Sequence, residues 1–405
     1  MVVSNGSDNM LKLPIYLDNN ATTACDARVV ETMLPYFSER FGNAASRNHV
    51  YGWEAEEAVK LSREKVAKLV GAEPGEITFT SGATEADNLA LKGVLEMYAG
   101  KGNHIITCNI EHRAVLDPCR HLEKRGVEVT YLKVNGDGLI NLDDLEIAFK
   151  PTTVLIAIMY ANNEIGTIMP IKAISDLAKK RRVLVFTDAT QAVGKIPVHV
   201  NEDGIDLMAF SAHKMYGPKG IGALFVRRKN PRVKLKAQID GGGHEKGIRS
   251  GTLNVPGIVG FGAACELAIN ELEQDAERIA PLRNKLENAL LKMDNAFLNG
   301  NKQYRLPNVS NISFKDTEAD GLMMSVSKEI AVSSGSACMS ASLEPSYVLQ
   351  AIGLPDDMAR SSLRFSLGRY TTEEEIDHTI KTLANSIIEL RQKNPRFNHT
   401  IKSPI

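Results

Sequence analysis

The nine residues Asp206-Leu207-Met208-Ala209-Phe210-Ser211-Ala212-His213-Lys214 decide how this chain is read. The first five have the length and apolarity of a buried strand. The last four set a hydroxyl, an imidazole and an amine directly past its end. Open α/β sheets place their ligand sites at the carboxyl ends of strands. A lysine is ordinarily a solvated charge, but at a strand end it is also the side chain that forms Schiff bases with carbonyl compounds. Tyr216-Gly217-Pro218 forces a tight turn immediately afterwards.

Working outward, short β-rich runs alternate with amphipathic helical patterns. Strands are expected at Ile77–Thr80, His104–Thr107, Val127–Leu132, Val154–Tyr160, Val183–Thr187 and Gly222–Val226. Helices are expected over Glu54–Val70, from about Thr84, over Ala114–Arg125 and over Ile171–Arg181. This rhythm predicts an α/β fold, a large domain with a mostly parallel sheet flanked by helices. Beyond Val255 it changes to two helices (Val255–Glu273 and Pro281–Met293), strands near Asn308–Phe314, Ile330–Ser333 and Ser362–Ser366, and a closing helix Glu373–Gln392. A smaller α+β domain is expected there. Residues 1–10 are expected to be a flexible extension, 25–270 the large domain, and 11–24 with 271–405 the small one.

Bulk properties exclude several function classes. Among 405 residues, 48 Lys+Arg nearly cancel 49 Asp+Glu, so no net field favours nucleic acid or an anionic membrane. No apolar run reaches the ~18–20 residues of a membrane span. Met1–Met10 lacks the apolar core of a signal peptide and the arginines of a transit peptide. The five cysteines, Cys25, Cys108, Cys119, Cys265 and Cys338, form no CxxC pair and fit a reducing, cytoplasmic setting. No Walker lysine and no GxGxxG follows a strand, which disfavours nucleotide binding, and the Gly220-Ile221-Gly222 pair is too weak a signal to count.

Other strand ends carry complementary polar groups. Asp188 ends Val183–Thr187, where it is either a helix cap or an anionic partner for a protonated ring nitrogen. Thr80-Ser81-Gly82-Ala83-Thr84-Glu85 runs from strand to helix start, a place where backbone N–H groups hold a phosphate or where Ser/Thr merely caps. His112 follows His104–Thr107, and Asn163 follows Val154–Tyr160. Any one of these has a bland structural explanation; five on one sheet edge do not. Arg364, on the strand Ser362–Ser366, can clamp a carboxylate through its forked guanidinium or form an ordinary surface ion pair. Cys338 sits in Ser333-Ser334-Gly335-Ser336-Ala337-Cys338-Met339-Ser340, a small-residue run expected to be mobile and a setting for a reactive thiol. The cluster Arg227, Arg228, Lys229, Arg232, Lys234 and Lys236 is a solvated turn or a docking patch for acidic proteins.

From about Leu13 to Arg391 the chain resembles the cysteine desulfurase family, in its IscS/NifS-type members, which are fold-type I enzymes dependent on pyridoxal 5'-phosphate (PLP). The segments carrying the resemblance include Tyr16–Thr23, Ser81–Glu85, Glu111-His112, Asn162–Gly166, Asp188–Gln191, Ser211–Lys214, Gly241–Glu245, Arg249–Thr252, Ser333–Cys338 and Arg364–Arg369. The resemblance implies that Lys214 carries the cofactor and acts as α-proton base, and that Asp188 pairs the ring nitrogen. It implies that Gln191 and Asn163 meet the ring hydroxyl or the substrate, and that Ala83, Thr84, Ser211 and His213 hold the phosphate, joined by Thr252 from a second subunit. His112 then stacks on the ring as acid/base, Arg364 binds the carboxylate of L-cysteine, and Cys338 takes the sulfur as a persulfide while alanine leaves.

Partners implied are a second copy of the chain and an iron–sulfur scaffold, with Cys338 a possible shared cluster ligand. Other sulfur acceptors, including tRNA thiolation, are implied as well. Two positions depart from the family pattern: Ala212 stands where glycine is usual and Met339 where threonine is. Competing readings are a selenocysteine lyase, another fold-type I enzyme such as an aminotransferase, and a non-catalytic protein using Cys338 as a metal or cluster ligand.

Overall fold

The computed structural model describes residues 11–334 and 344–393. Its centre is a seven-stranded sheet built from Ile77–Thr80 (β1), His104–Cys108 (β2), Glu128–Leu132 (β3), Thr153–Ala157 (β4), Leu184–Asp188 (β5), Leu207–Ser211 (β6) and Gly222–Val226 (β7). The strand order is β1-β7-β6-β5-β4-β2-β3. Strands β6, β5, β4, β2 and β3 pair in parallel, and β7 runs antiparallel to both of its neighbours. Every strand but β3 is buried along its whole length or all but one residue of it.

Alternate side chains of each strand enter two cores, as the two-residue period of a strand requires. Ile106, Ile156, Val185, Met208, Phe210 and Phe225 lie in one; Ile105, Leu155, Phe186, Leu207, Ala209 and Leu224 lie in the other. The first core is closed by the helices Val50–Leu69 (α1) and Ile171–Arg181, with Ala55, Val59, Val66, Ile171 and Ile174. The second is closed by Ala83–Met97 (α2) and Arg113–Glu123 (α3), through Leu89, Val94, Val115 and Leu122.

Three expectations are corrected. The strand expected over Val154–Tyr160 stops at Ala157, because the buried Glu111 carboxylate accepts the Met159 N–H at 2.6 Å and takes that residue out of the ladder. The two helices expected after Val255 are one 36-residue helix, Val255–Leu290 (α4), with Pro281 inside it. Proline costs one backbone bond and some strain, but Ile279, Leu286 and Leu290 are anchored in a third core, and Val255, Ile258 and Phe261 in the first. By length and composition α4 is apolar enough to cross a membrane, contrary to the expectation that no such run exists. Its apolar residues are instead spent on these two cores.

The third core lies beneath a four-stranded antiparallel sheet, Ala296–Leu298 (β8), Val309–Phe314 (β9), Ser333–Ser334 (β10) and Ser362–Ser366 (β11), ordered β10-β11-β9-β8. Ile15 and Leu17 join that core, and Ile15–Tyr16 pairs with Ile330–Ala331. The basic cluster also divides. Arg227 is tied to Ile205 O, Val200 O and Asn201 Oδ1, so it is a structural residue, while Arg228, Lys229, Arg232, Lys234 and Lys236 are exposed.

Candidate active site

The carboxyl ends of β1, β2, β4, β5 and β6 open on one cavity of about 580 Å³, within the range that encloses a cofactor-sized ligand. Ala83, Thr84, His112, Asn163, Asp188, Gln191, Ser211, His213, Lys214 and Arg364 all line it. Thr252 does not; it is exposed on its own chain. Cys338 and Met339 lie outside the described residues.

Lys214 closes a 3-10 turn, Ala212–Lys214, that follows β6 directly. Its Nζ donates to the Asn20 and Ala21 carbonyls, each at 2.6 Å. The turn is stitched to the same N-terminal segment, since Thr23 N donates to His213 O and Tyr216 N to Thr23 Oγ1. Ala212 is fully buried, and a Cβ at Gly217 would lie 2.8 Å from its methyl. Alanine at 212 therefore depends on glycine at 217.

Asp188, 6% exposed, accepts the Thr190 N–H at 2.9 Å. His112 caps α3, its Nδ1 accepting from Ala114 N at 3.1 Å. A neutral imidazole used that way carries its proton on Nε2. Burial, with a contribution from Lys214, lowers the His112 proton affinity and outweighs the opposite pull of Asp188. His213 is pushed down to about 4 by burial and by Lys214, Lys219 and Lys195, so it is neutral too.

At the phosphate-suited end, Gly82 caps α2 and Ser81 N–H is held by Glu85 Oε2 at 2.8 Å. Burial alone would raise the Glu85 carboxyl, but its bonds to Arg249 and Ser81 bring it below the ordinary value. Gly222 is what lets this turn sit against β6, because a Cβ there would meet Gly82 Cα and Phe210 O, both at 2.7 Å. The role of Gly222 is this close approach, not a phosphate loop.

Arg364 is 3% exposed, donating to Asn163 O at 3.1 Å and to Asp18 Oδ1 at 2.7 Å. It is a buried cation at the cavity wall, not a surface ion pair. Missed by the sequence reading were Asn20, whose carbonyl receives Lys214, and Asp87, a fully buried carboxylate on the cavity wall. The signal for Asp87 was one acid among Ala86, Leu89 and Ala90 on a buried helix face. Burial, then Asp188 and Glu111, push its proton affinity far up.

These residues fit PLP on three observations. Asn163 Oδ1 and Thr190 Oγ1 are buried on the cavity wall without a protein partner among the described residues. An amine and a carboxylate share the cavity, as a carbonyl-bearing pyridine needs. Hydroxyls and a helix N-terminus, suited to a phosphate, lie at one end.

The family model for aminotransferase class-V matches residues 15–379, and the chain belongs to that family of PLP-dependent enzymes. Within it, the chain groups with the cysteine desulfurases. It is 54% identical to a relative named cysteine desulfurase IscS from Anaeromyxobacter sp. (strain Fw109-5), over 96% of each chain. A solved structure described as a NifS-like protein matches with a TM-score of 0.87 and 39% identity, over 93% of this chain and 100% of that one. Another, SspA in complex with cysteine, matches with a TM-score of 0.78 and 37% identity, over 88% and 99%.

Proposed function

We propose that this chain is a cysteine desulfurase that converts L-cysteine to L-alanine and leaves the sulfur as a persulfide on Cys338. The observation that carries the reading is the meeting of Lys214, Asp188, His112 and Arg364 in one cavity at the sheet's carboxyl edge. PLP would be held by Lys214 through its amine, by Asp188 at the ring nitrogen, by Gln191 and Asn163 at the ring edge, and by Ala83, Thr84, Ser211 and His213 at the phosphate. When bound there, it supplies an electron sink that labilises bonds at the substrate α-carbon.

The chain's own groups do the rest. Arg364 exchanges Asp18 for the carboxylate of L-cysteine. The Lys214 amine accepts the α-proton, and His112, its proton on Nε2, serves as the acid beside it. The Cys338 thiolate attacks the substrate sulfur, so an S–S bond forms as the Cβ–S bond breaks. The electron pair of the broken bond goes to Cβ, which takes a proton and becomes the methyl group of alanine; sulfur is oxidised and carbon reduced, with no other reactant. Supporting Cys338 as acceptor is its place in sequence five residues after Ser333, which pairs with Arg364 in the register of β10 on β11.

The protein is read as a cytoplasmic homodimer serving iron–sulfur assembly, with tRNA thiolation as a further use. The small domain, residues 11–24 and 271–405, would carry the cysteine segment. Supporting a second copy are the exposed side chains Leu34, Phe37, Phe41, Tyr51 and Trp53, before and at the start of α1, and Thr252, which is exposed and does not line its own cavity. Exposed Arg228 and Arg232 suit docking of acidic sulfur acceptors.

Lys214→Ala tests the reading. Purified protein should lose the visible band of lysine-bound PLP and all alanine release from L-cysteine. A band that persists in the variant overturns the assignment of Lys214.

A further inference from the structure

Behind the cavity wall lies an ammonium group that the reaction above does not use. Lys195 Nζ donates to Gln191 Oε1 at 2.6 Å and to Asn20 Oδ1 at 2.8 Å. Both acceptors belong to cavity-lining residues, while Lys195 itself borders a small void on the far side. Gln191 Nε2 in turn donates to Asn20 O at 3.0 Å, the same oxygen that receives Lys214 Nζ. Asn20 Nδ2 donates to Asn163 O, which also receives Arg364.

An ammonium has only donors, so it can meet each amide only at its oxygen. Lys195 thereby fixes the Gln191 amide with its NH₂ toward the Lys214 side. Remove it, and Gln191 Oε1 is left buried without a donor, which costs the order in that amide.

The surroundings of Lys195 hold no compensating anion among the described residues. Burial, then Lys214 and Arg364, lower its proton affinity. Asp275, on the same void, is spent on Arg369 at 2.8 Å, and the Tyr216 phenol there is pushed up to about 12 by burial. An amine buried against two amides and beside two cations holds its proton most favourably once a negative group arrives in the cavity.

We propose that Lys195 is the positioning residue for the oxygen-bearing edge of bound PLP, locking Gln191 as a donor to the ring oxygen and favouring that oxygen's deprotonated form. The proposal rests on PLP binding at Lys214. Its test is the pH midpoint of the visible absorption change of the holoenzyme without substrate, in wild type, Lys195→Met, Lys195→Arg, Gln191→Ala and the Lys195→Met/Gln191→Ala double variant.

Lys195→Met should move the midpoint up by about one pH unit, the size of effect that loss of a nearby buried charge produces. Lys195→Arg, which keeps the charge, should stay within a few tenths of wild type. In the Gln191→Ala background, Lys195→Met should shift the midpoint by less than half as much as it does alone. A Lys195→Met holoenzyme titrating like wild type, or full additivity with Gln191→Ala, overturns the proposal. Should Lys195→Met not retain PLP, Lys195→Gln is read by the same criterion. Loss of PLP from both neutral variants but not from Lys195→Arg supports the proposal, and equal loss from all three overturns it. A wild-type band that survives Lys214→Ala instead refutes the cofactor assignment, whatever Lys195 does.

Discussion

Glu111 is wholly buried beneath the cavity, with Oε1 accepting from Met159 N at 2.6 Å and from Cys108 Sγ at 3.1 Å. Burial pushes its carboxyl up to about 8. Below the ordinary glutamate range near 4.5 the folded and unfolded chains both hold the proton. From there to about 8 only the unfolded chain releases it, so stability falls as pH rises through that window. Glu111→Gln, which mimics the protonated acid, should flatten that fall, on the order of a few kcal/mol by pH 8. Urea denaturation of both proteins from pH 5 to pH 8 measures it; parallel stability curves would contradict the assignment. This residue also marks a limit of legibility. Its neighbour His112 was readable because it follows a strand, but Glu111 is held in its buried place by Met159, beyond the end of β4, which sequence order does not put beside it.

The turn joining β1 to α2 owes its position to Gly222, on a strand far away in sequence. Gly222→Ala should push the turn off β6, where its Cβ would stand 2.7 Å from Gly82 Cα. Overpacking of this kind costs ~1–3 kcal/mol, and PLP retention should weaken about tenfold, roughly 1.4 kcal/mol. Equilibrium dialysis of the cofactor checks this, and unchanged retention with unchanged stability would refute the close-approach role. At this scale most of the fold was legible. Ile171–Arg181 falls where the helical period of its apolar residues puts it, and Gly222–Val226 where its continuous apolar run does, because strands buried on both faces read that way. The short helix Leu142–Ala148 and the strand Ala296–Leu298 were not, since at seven and three residues neither is long enough for a repeating pattern to register. Pro281 misled for a different reason: its local penalty is overridden by the tertiary anchoring of α4 in two cores.

Across the whole molecule, ten of the side chains read from sequence as a site converge on one cavity, and Thr252 stands apart from it. If a second subunit supplies Thr252, Thr252→Ala should weaken PLP retention while leaving thermal unfolding of the apoprotein unchanged. Sedimentation of wild type should give a dimer, and a fully active monomer would refute the shared site. Whether Cys338 receives the sulfur is decided by Cys338→Ser. Serine nearly matches cysteine in size, but its hydroxyl is a far poorer nucleophile toward sulfur. The measurement is alanine release from L-cysteine, taken together with the intact mass of the protein after the reaction. Wild type should release alanine and gain the mass of one sulfur atom per chain, whereas Cys338→Ser, still binding PLP, should release little alanine and gain none. Alanine release by Cys338→Ser at the wild-type rate would contradict the claim and favour a selenocysteine-lyase-like route that needs no protein thiol.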